Sequence, residues 1–544
     1  MRAIAMGREG MVCAANPLAV LAGVKMLARG GNAVDALVAA AVALNVVEPY
    51  MSGIGGVGNL LFYHGEERRV RALYFGGRAP ARARLEGYTP EMKDVGPLAP
   101  LVPSALAGWA RALADHGTLA PETVLQPAIA LAERGIVITP FDAHHFAAHP
   151  ERVELFPATS ATYFPQGRPP AAGELLRQPD LARTLDLIAR RGVGALYSGE
   201  IGRAIAGHLQ SAGGVMTEDD LARVPEELAW QDPIHTSYRG YEIFTPPPPS
   251  SGAQILQTLN VLEGFDLAGM GHNTGDHLVT LAEVIRLARL DTDRYIGDPD
   301  FVEVPVDYLI GKEHAAEQRA RVLAALRDAG DRKTGGRAGR GGAGGKGGRA
   351  ASRDSTTHLA AADRWGNAVN MTQTLGSGFG SGVVIPGTGV CLNNGMRWFN
   401  LRPGHANTLA GGRRVEWCIA PTQAMRGGRL AMTVGSPGSY GIPQTVTQVL
   451  CNLIDFGMNV QDAIGAPRMR WADDVPDPLP ATTLRVETRI PEDTRRALAA
   501  RGYDLHLLGE WSWLVGGAHG IVVHGEGWLM GGADPRRNGY AIGW

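Results

Sequence analysis

The chain of 544 residues contains 45% hydrophobic and 19% charged residues, which is typical of a soluble globular protein and excludes disorder of the whole chain. A formal net charge of -2 and an isoelectric point near 6.7 provide no field that would attract nucleic acid or an anionic membrane, so we expect a small-molecule substrate. The four cysteines form no C-x-x-C pair and have no histidine at ligand spacing, so the sequence predicts neither disulfides nor a metal site. No organic cofactor is indicated either.

The start of the chain lacks the long apolar stretch of a signal peptide. The most apolar run, Ala36 to Val47, is too short to span a membrane as a helix. These two features predict a cytoplasmic protein.

Helical periodicity predominates in the first part of the chain. Leu18 to Arg29 has helical spacing and ends on Gly30-Gly31, which is a helix C-cap signature. Ala33 to Val46 is rich in alanine and valine and predicts a buried helix. The proline-rich run Pro246 to Ala253 predicts a rigid turn into a helix, and Leu278 to Tyr295 predicts another helix.

The composition changes abruptly at residues 331–353, where glycine and basic residues replace nearly all apolar side chains and predict a flexible linker. Beyond it, alternating segments around Asp363 to Asn367 predict a β-hairpin, and further strands fit Arg429 to Val434, Gly520 to His524 and Gly527 to Met530. Because neither part can complete a sheet alone, we expect both to share one core in an α+β fold, as a four-layer αββα sandwich.

The linker stops at Asp354-Ser355-Thr356, where a predicted strand begins, and a self-cleaving precursor needs such an accessible bond. In such a precursor the Thr356 hydroxyl attacks the carbonyl of Ser355, and hydrolysis of the resulting ester frees the α-amine of Thr356. An α-amine with a pKa of roughly 7.7 can accept the hydroxyl proton near neutral pH, so one residue supplies nucleophile and base. Taken alone, however, the Thr-Thr-His string at 356–358 is no signal of catalysis and is better explained as β-forming residues at the start of a strand.

Short motifs along nearly the whole chain give this string its context. They are GGNAVDA at 30–36, GIGGVG at 53–58, VPS at 102–104, QPA at 126–128, GDP at 297–299, TTH at 356–358, GNAV at 366–369, LNN at 392–394, GSPG at 435–438 and ADPR at 533–536. In content and order they resemble the γ-glutamyltransferase (glutathione hydrolase) family of N-terminal-nucleophile (Ntn) hydrolases. The resemblance implies a proenzyme that cleaves itself into a large subunit, residues 1–355, and a small subunit, residues 356–544, which stay together in one globular unit.

The resemblance also implies roles for individual residues. Thr356 becomes the nucleophile that carries the acyl group, the hydroxyl of Thr374 holds its α-amine, and the backbone N–H groups of Gly438 and Ser439 form the oxyanion hole. Serine in place of the family's second glycine can keep this main-chain donor. The GIGGVG loop lacks the downstream acidic partner of a dinucleotide site and is interpreted as a packing loop, and His358 as a structural strand residue.

Recognition of a glutamyl group departs from the family pattern at several positions. The family's carboxylate-binding arginine aligns with Gly76, and Arg78 is either a substitute carboxylate fork or a surface charge. The family's acid that holds the substrate α-amine is replaced by Trp398, next to Arg397. Trp417 stands where the family has the first of two serines.

These departures predict an amide hydrolase for an acyl group other than glutamyl. The two arginines favour a small carboxylated amide such as oxamate, whereas the two tryptophans favour a bulkier acyl group, as in a cephalosporin-type acyl amide. A true γ-glutamyltransferase, possessing some other glutamyl clamp, is one alternative. Another is an inactive scaffold whose basic linker binds nucleic acid, although that linker contains no aromatic residue to stack on bases. The processed pair could also dimerise further.

Overall fold

The computed structural model describes residues 3–331, 355–471 and 482–544, so the predicted linker at 331–353 lies outside the described residues except for Asp331. The strands are β1 Ala5–Gly7, β2 Gly10–Ala14, β3 Val57–His64, β4 Arg69–Phe75, β5 Ile136–Val137, β6 Leu175–Leu176, β7 Trp230–Gln231, β8 Ile234–Tyr238, β9 Tyr241–Thr245, β10 Ser355–Asp363, β11 Ala368–Gly376, β12 Val384–Ile385, β13 Val390–Cys391, β14 Thr422–Arg426, β15 Arg429–Gly435, β16 Met469–Trp471, β17 Thr483–Glu487, β18 Asp504–Leu508, β19 His519–Val523, β20 Leu529–Ala533 and β21 Tyr540–Gly543. The α-helices are α1 Pro17–Ala28, α2 Ala33–Val47, α3 Pro90–Asp94, α4 Ala105–His116, α5 Pro121–Arg134, α6 Pro140–Ala148, α7 Pro150–Glu154, α8 Pro157–Tyr163, α9 Pro179–Arg191, α10 Gly194–Tyr197, α11 Glu200–Ser211, α12 Glu218–Ala222, α13 Val224–Glu227, α14 Gly252–Leu262, α15 Leu267–Met270, α16 Gly275–Tyr295, α17 Val306–Leu309, α18 Lys312–Asp331, α19 Gly441–Ile454, α20 Val460–Gly465 and α21 Glu492–Ala500. The helices, the hairpin and the later strands predicted from sequence are all present, with ends displaced by at most three residues.

Two seven-stranded sheets form the centre of the molecule. One has the order β21-β2-β10-β11-β3-β4-β7, and the other has the order β1-β20-β19-β15-β14-β9-β8. Each sheet contains strands from before residue 331 and strands from after residue 355. This confirms that neither part of the chain forms a complete sheet by itself.

Side chains that alternate along β10 separate the layers of the fold. Leu359 and Ala361 belong to the core between the first sheet and a helical layer that includes α1, α2 and α5. Ala360 and Ala362 belong to the core between the two sheets. A third core lies between the second sheet and helices that include α14, α16 and α19. The predicted αββα sandwich is therefore confirmed.

Helix α2 lies directly under the first sheet, and all of its side chains are buried. The Asn32 side chain caps the helix by accepting from the N–H groups of Val34 and Asp35, and the Asp35 carboxylate accepts from Asn32 N at 2.8 Å. Such reciprocal capping is worth about 1 kcal/mol and explains the GGNAVDA motif. The carboxylate of Asp363, at the end of β10, accepts from Ala33 N at 2.9 Å and ties the helix to the sheet.

The hairpin between β10 and β11 turns where the sequence predicted it. The Asp363 carboxylate accepts from the N–H groups of Trp365 and Asn367 at 2.9 and 3.0 Å, and Gly366 has a φ of 84°.

Within the described ranges no helix has the length and apolarity needed to cross a membrane. All four cysteines are buried, as expected for structural side chains.

Candidate active site

The predicted cleavage bond lies where the β10–β11 ladder is irregular. Ser355 pairs with Gly376 and Thr357 pairs with Gln373, so Thr356 opposes two residues of β11 at a β-bulge. Bulges commonly redirect a side chain next to an active site. Thr356 is nevertheless well buried, at 4% exposure.

Thr356 and Thr374 are in direct contact. The Thr356 hydroxyl donates to Oγ1 of Thr374 at 3.0 Å, and Oγ1 of Thr374 also accepts from the N–H of Gly376 at 2.7 Å. The Thr374 hydroxyl in turn donates to the carbonyl oxygen of Ser355. In the uncut chain Thr374 thus polarises the carbonyl that Thr356 is predicted to attack.

The GIGGVG loop packs against β11 at this point. A Cβ atom on Gly56 would lie 2.6 Å from the carbonyl oxygen of Thr374, so only glycine allows the loop to approach so closely. Leu375 N also donates to the carbonyl of Met51 at 2.9 Å, just before the loop. The loop therefore supports Thr374, in agreement with its interpretation as a packing loop.

The predicted oxyanion hole follows the end of β15. A Cβ atom on Gly435 would lie 2.1 Å from the imidazole of His358, so β15 ends beside the start of β10. Gly438 has a φ of 130° and Ser439 a φ of 52°. Among the described contacts, the N–H groups of these two residues donate to no other group. The turn thus presents two main-chain donors just beyond the end of β15, the strand that ends beside His358 of β10.

A methyl group at Gly438 is expected to disturb this turn through the backbone, since a φ of 130° is accessible almost only to glycine. We expect Gly438→Ala to fold and to lower kcat by about 100 to 1,000-fold, the usual cost of losing one oxyanion donor. The measurement is the rate at which 4-nitroaniline is released from an acyl 4-nitroanilide. Gly427→Ala, at a φ of 59° in the β14–β15 turn, is the matched control and should retain kcat. Wild-type kcat in Gly438→Ala would mean that this turn does not bind the oxyanion.

His358 is buried, and its Nδ1 lies 2.8 Å from Oγ1 of Thr372. Burial lowers the pKa of His358 well below its usual value, so the ring is neutral at physiological pH. These contacts agree with a structural role rather than with that of a general base.

Arg78 is engaged with protein carboxylates. Its guanidinium lies 2.8 Å from Glu227, 3.8 Å from Asp298 and 3.6 Å from Asp300. It lines a cavity of about 390 Å³ together with Arg414 and apolar side chains. No described contact joins Arg78 to Thr356, so these ion pairs favour the interpretation of Arg78 as a surface charge over that of a substrate fork.

Arg397 contacts the segment that follows Thr374. It is 7% exposed and donates to the hydroxyl of Ser377, which follows Thr374 by three residues. Its guanidinium lies 3.9 Å from Asp94 and 4.5 Å from the ring centre of Trp398. The structure therefore brings Arg397 and Trp398 together beside the end of β11.

Trp398 belongs to an aromatic cluster that consists of Trp398, Trp417 and Tyr440. The ring centres of Trp398 and Trp417 are 5.5 Å apart, and Trp398 stacks on Tyr440 at 6.4 Å. Tyr440 directly follows the predicted oxyanion donor Ser439. The aromatic cluster therefore adjoins the oxyanion turn and fills the region in which the family pattern has polar glutamyl-binding residues.

Sequence reasoning missed the polar groups behind the aromatic cluster. The Tyr440 hydroxyl donates to Oε2 of Glu416 at 2.6 Å, and the Arg289 guanidinium lies 3.9 Å from the centre of the Tyr440 ring. Burial raises the pKa of the Glu416 carboxyl. The position of Tyr440 next to Ser439 was the one available signal.

Sequence reasoning also missed Arg537, one residue beyond the ADPR motif. Its Nη1 atom donates to the carbonyl oxygen of Thr356 at 2.8 Å and lies 3.9 Å from the sulfur of Met51. Arg537 is 4% exposed. Arg537 therefore holds the main-chain carbonyl of the predicted nucleophile, whereas Thr374 contacts its hydroxyl.

Comparison with known proteins places this geometry in a family. The family model for gamma-glutamyltranspeptidase matches residues 19–544. The chain is 40% identical to the acylase ACY 1 proenzyme of Pseudomonas sp. (strain SE83), over 99% of this chain and 94% of that protein. It is 34% identical to the glutathione hydrolase proenzyme of Escherichia coli (strain K12), over 97% of this chain and 90% of that protein.

A solved structure is similar throughout. The cephalosporin acylase from Bacillus halodurans superposes with a TM-score of 0.89 at 32% identity, over 100% of this chain and 97% of that chain. Both proenzyme relatives named above match from end to end rather than in one motif. The chain therefore belongs to the gamma-glutamyltranspeptidase family and is an amide hydrolase with the Ntn-hydrolase fold.

Proposed function

We propose that this protein cleaves itself before Thr356 and that residues 1–355 and 356–544 then form a heterodimer. The heterodimer hydrolyses amides whose acyl group combines an apolar chain with a carboxylate. The placement of Arg397 beside Ser377, at the edge of the aromatic cluster, carries the second part of this proposal. The names of the acylase relatives support the class of reaction.

The reaction follows from the contacts of Thr356. Its free α-amine takes the proton from Oγ1, and the oxygen attacks the amide carbonyl of the substrate. The N–H groups of Gly438 and Ser439 stabilise the negative oxygen of the tetrahedral intermediate. The C–N bond then breaks, the leaving amine takes the proton back, and water hydrolyses the ester on Thr356 in the same sequence of steps.

The charges around Arg397 favour an anionic acyl group. Lys93 donates to the carbonyl of Arg397 at 3.3 Å, and burial lowers the pKa of Lys93 to about 8. Arg152 pairs with Asp94 at 2.8 Å, and Arg397 shares that carboxylate. Lys93, Arg152 and Arg397 are three basic side chains close to this segment, and a substrate carboxylate would be a favourable partner for such a group.

The described side chains offer less to bind an α-amine on the substrate. The acid that the family uses is replaced by Trp398, and the nearby acid Glu416 already accepts from Ser251 and from Tyr440. Arg289 adds a positive charge over the Tyr440 ring, 3.9 Å from its centre. The alternative of a true glutathione hydrolase, supported by the name of the Escherichia coli relative, would require one of these groups to be displaced.

Three 4-nitroanilides that differ by one group each test the proposal. γ-L-Glutamyl anilide has an amine and a carboxylate, glutaryl anilide has only the carboxylate, and pentanoyl anilide has neither. We expect kcat/KM to be highest for glutaryl anilide. The pentanoyl compound lacks the carboxylate that Arg397 would bind, and the glutamyl compound adds an ammonium group without a matching acid. Each difference is expected to lower kcat/KM by about 10-fold or more. Higher kcat/KM for the glutamyl compound would establish the alternative function instead.

Arg397→Met tests the residue that carries the proposal. We expect kcat/KM for glutaryl anilide to fall by about 10 to 100-fold and that for pentanoyl anilide to stay unchanged, because only the carboxylate loses a partner. Arg402→Met removes an exposed arginine from the same segment and is the matched control. Equal losses for both anilides would assign Arg397 to the fold rather than to substrate recognition.

A further inference from the structure

The oxyanion turn, which consists of Gly438 and Ser439, has a backbone conformation that requires support from its neighbours. Ser439 has a φ of 52°, a left-handed value that residues other than glycine seldom adopt. Among the described contacts, the Ser439 hydroxyl makes no hydrogen bond that would hold this conformation. Because a strained backbone persists only where the surrounding structure fixes it, the support must come from adjoining residues.

The main chain couples the turn to Tyr440, the residue that precedes helix α19. Gly441 N donates to the carbonyl oxygen of Gly438 at 2.9 Å, and Ile442 N donates to that of Ser439 at 2.9 Å. Tyr440 therefore lies inside two overlapping hydrogen-bonded turns, together with Ser439. Any displacement of Tyr440 would move the N–H group of Ser439.

The side chain of Tyr440 is fixed at its tip and along its ring. It is 3% exposed, and its hydroxyl donates to Oε2 of Glu416 at 2.6 Å, a distance typical of a strong hydrogen bond to a carboxylate. The ring stacks on Trp398 at 6.4 Å and contacts the guanidinium of Arg289, 3.9 Å from the ring centre. The hydrogen bond to Glu416 is the directional part of this anchor.

Glu416 is itself held from several directions. Its Oε1 atom accepts from the hydroxyl of Ser251, at the start of α14, and its N–H donates to Oδ1 of Asn407 at 2.9 Å. The Asn407 amide also donates to the carbonyl oxygen of Trp398 at 3.0 Å. Ser251 belongs to the predicted large subunit and the other residues to the small subunit, so Glu416 joins both to the oxyanion turn.

We propose that Glu416 is a positioning residue for the oxyanion hole: its carboxylate holds Tyr440, and Tyr440 keeps Ser439 in the conformation that presents its N–H group. This inference rests on the proposed function, because it assigns a role in substrate turnover. Glu416 does not touch the reacting atoms. Its effect passes through the Tyr440 hydroxyl.

This role predicts that substrate turnover and self-cleavage respond differently. In the uncut chain the carbonyl oxygen of Ser355 accepts from the Thr374 hydroxyl, and no described contact joins it to the oxyanion turn. Self-cleavage should therefore not require the hydrogen bond between Glu416 and Tyr440. A pair that only stabilised the fold would affect both reactions.

Tyr440→Phe and Glu416→Gln test the pair. Tyr440→Phe keeps the ring but loses the hydroxyl, and Glu416→Gln keeps the size but loses the carboxylate. With whichever of the three anilides the wild type hydrolyses fastest, we expect each variant to lower kcat by about 10 to 100-fold and to keep KM within about two-fold, because the oxyanion exists only after the substrate is attacked. Self-cleavage, followed on denaturing gels, should stay within a few-fold of wild type.

Tyr238→Phe is the matched control. The Tyr238 hydroxyl donates to Oδ2 of Asp455 at 2.7 Å, and Tyr238 is 0% exposed in the same hydrophobic core as Tyr440. Its removal also takes a buried hydroxyl from a carboxylate, but at a site with no described contact to the oxyanion turn. We expect Tyr238→Phe to retain kcat within a few-fold, and a loss as large as that of Tyr440→Phe would contradict the inference.

The double variant shows whether Glu416 acts through Tyr440. If it does, adding Glu416→Gln to Tyr440→Phe will cause little further loss of kcat. Unchanged kcat in the single variants, additive losses, or self-cleavage slowed as much as turnover would overturn the inference while leaving the proposed function intact. A wild-type protein that stays uncut, or that hydrolyses none of the three anilides, would overturn both.

Discussion

Thr356→Ala is expected to leave the chain uncut and to abolish amide hydrolysis, a loss on the order of a million-fold that reaches the background rate. The side chain removed is the one whose hydroxyl lies 3.0 Å from Oγ1 of Thr374, and alanine offers no nucleophile for either reaction. Denaturing gels report the first loss, and release of 4-nitroaniline from glutaryl anilide reports the second.

Thr356→Ser is the matched variant, since it keeps a hydroxyl on the same β-carbon. We expect it to cleave and to retain measurable turnover, at a reduced rate because serine loses the methyl group that fixes the rotamer. Fragments of wild-type size from Thr356→Ala would show that another residue, or a contaminating protease, cuts the chain.

Thr374→Val has the second largest expected effect. Valine keeps the shape of threonine but cannot donate to the carbonyl of Ser355, and it leaves the N–H of Gly376 without its acceptor. We expect self-cleavage to slow by about 100 to 1,000-fold, the usual cost of one donor to a developing oxyanion. The half-time of precursor loss on denaturing gels is the measurement.

Thr372→Val is a close control for this variant. Thr372 lies two residues earlier on β11 and is also fully buried, but its hydroxyl contacts His358 rather than Ser355. We expect Thr372→Val to cleave within a few-fold of the wild-type rate. Equal rates in Thr374→Val and Thr372→Val would remove Thr374 from the mechanism.

Local features of the fold could be predicted from the sequence because they depend on neighbouring residues. The capping pair Asn32 and Asp35, the turn at Gly366 and the alternation along β10 are all encoded within a few positions. The order of strands in the two sheets could not be predicted in the same way. It depends on pairings such as β10 with β2, which join residues more than 300 positions apart.

The residues of the candidate site likewise fall into two groups: some lie in local sequence patterns, and others are revealed only by contacts between distant residues. Thr356 and Gly438 each sit within a short motif, and the family resemblance assigned Thr374 by its position after Thr356. The Arg537 contact with Thr356 spans 181 positions, and no local pattern links the two residues. Arg78 and Arg397 were equivalent in the sequence, and only their tertiary contacts distinguish them.

Intact-mass analysis of the purified wild-type protein, with N-terminal sequencing of the smaller species, tests the central claim most directly. The expected result is two chains that correspond to residues 1–355 and 356–544, with the smaller one beginning Thr-Thr-His-Leu. A single chain of 544 residues after prolonged incubation, or a smaller chain that begins at any residue other than Thr356, would contradict the claim that Thr356 becomes an N-terminal nucleophile.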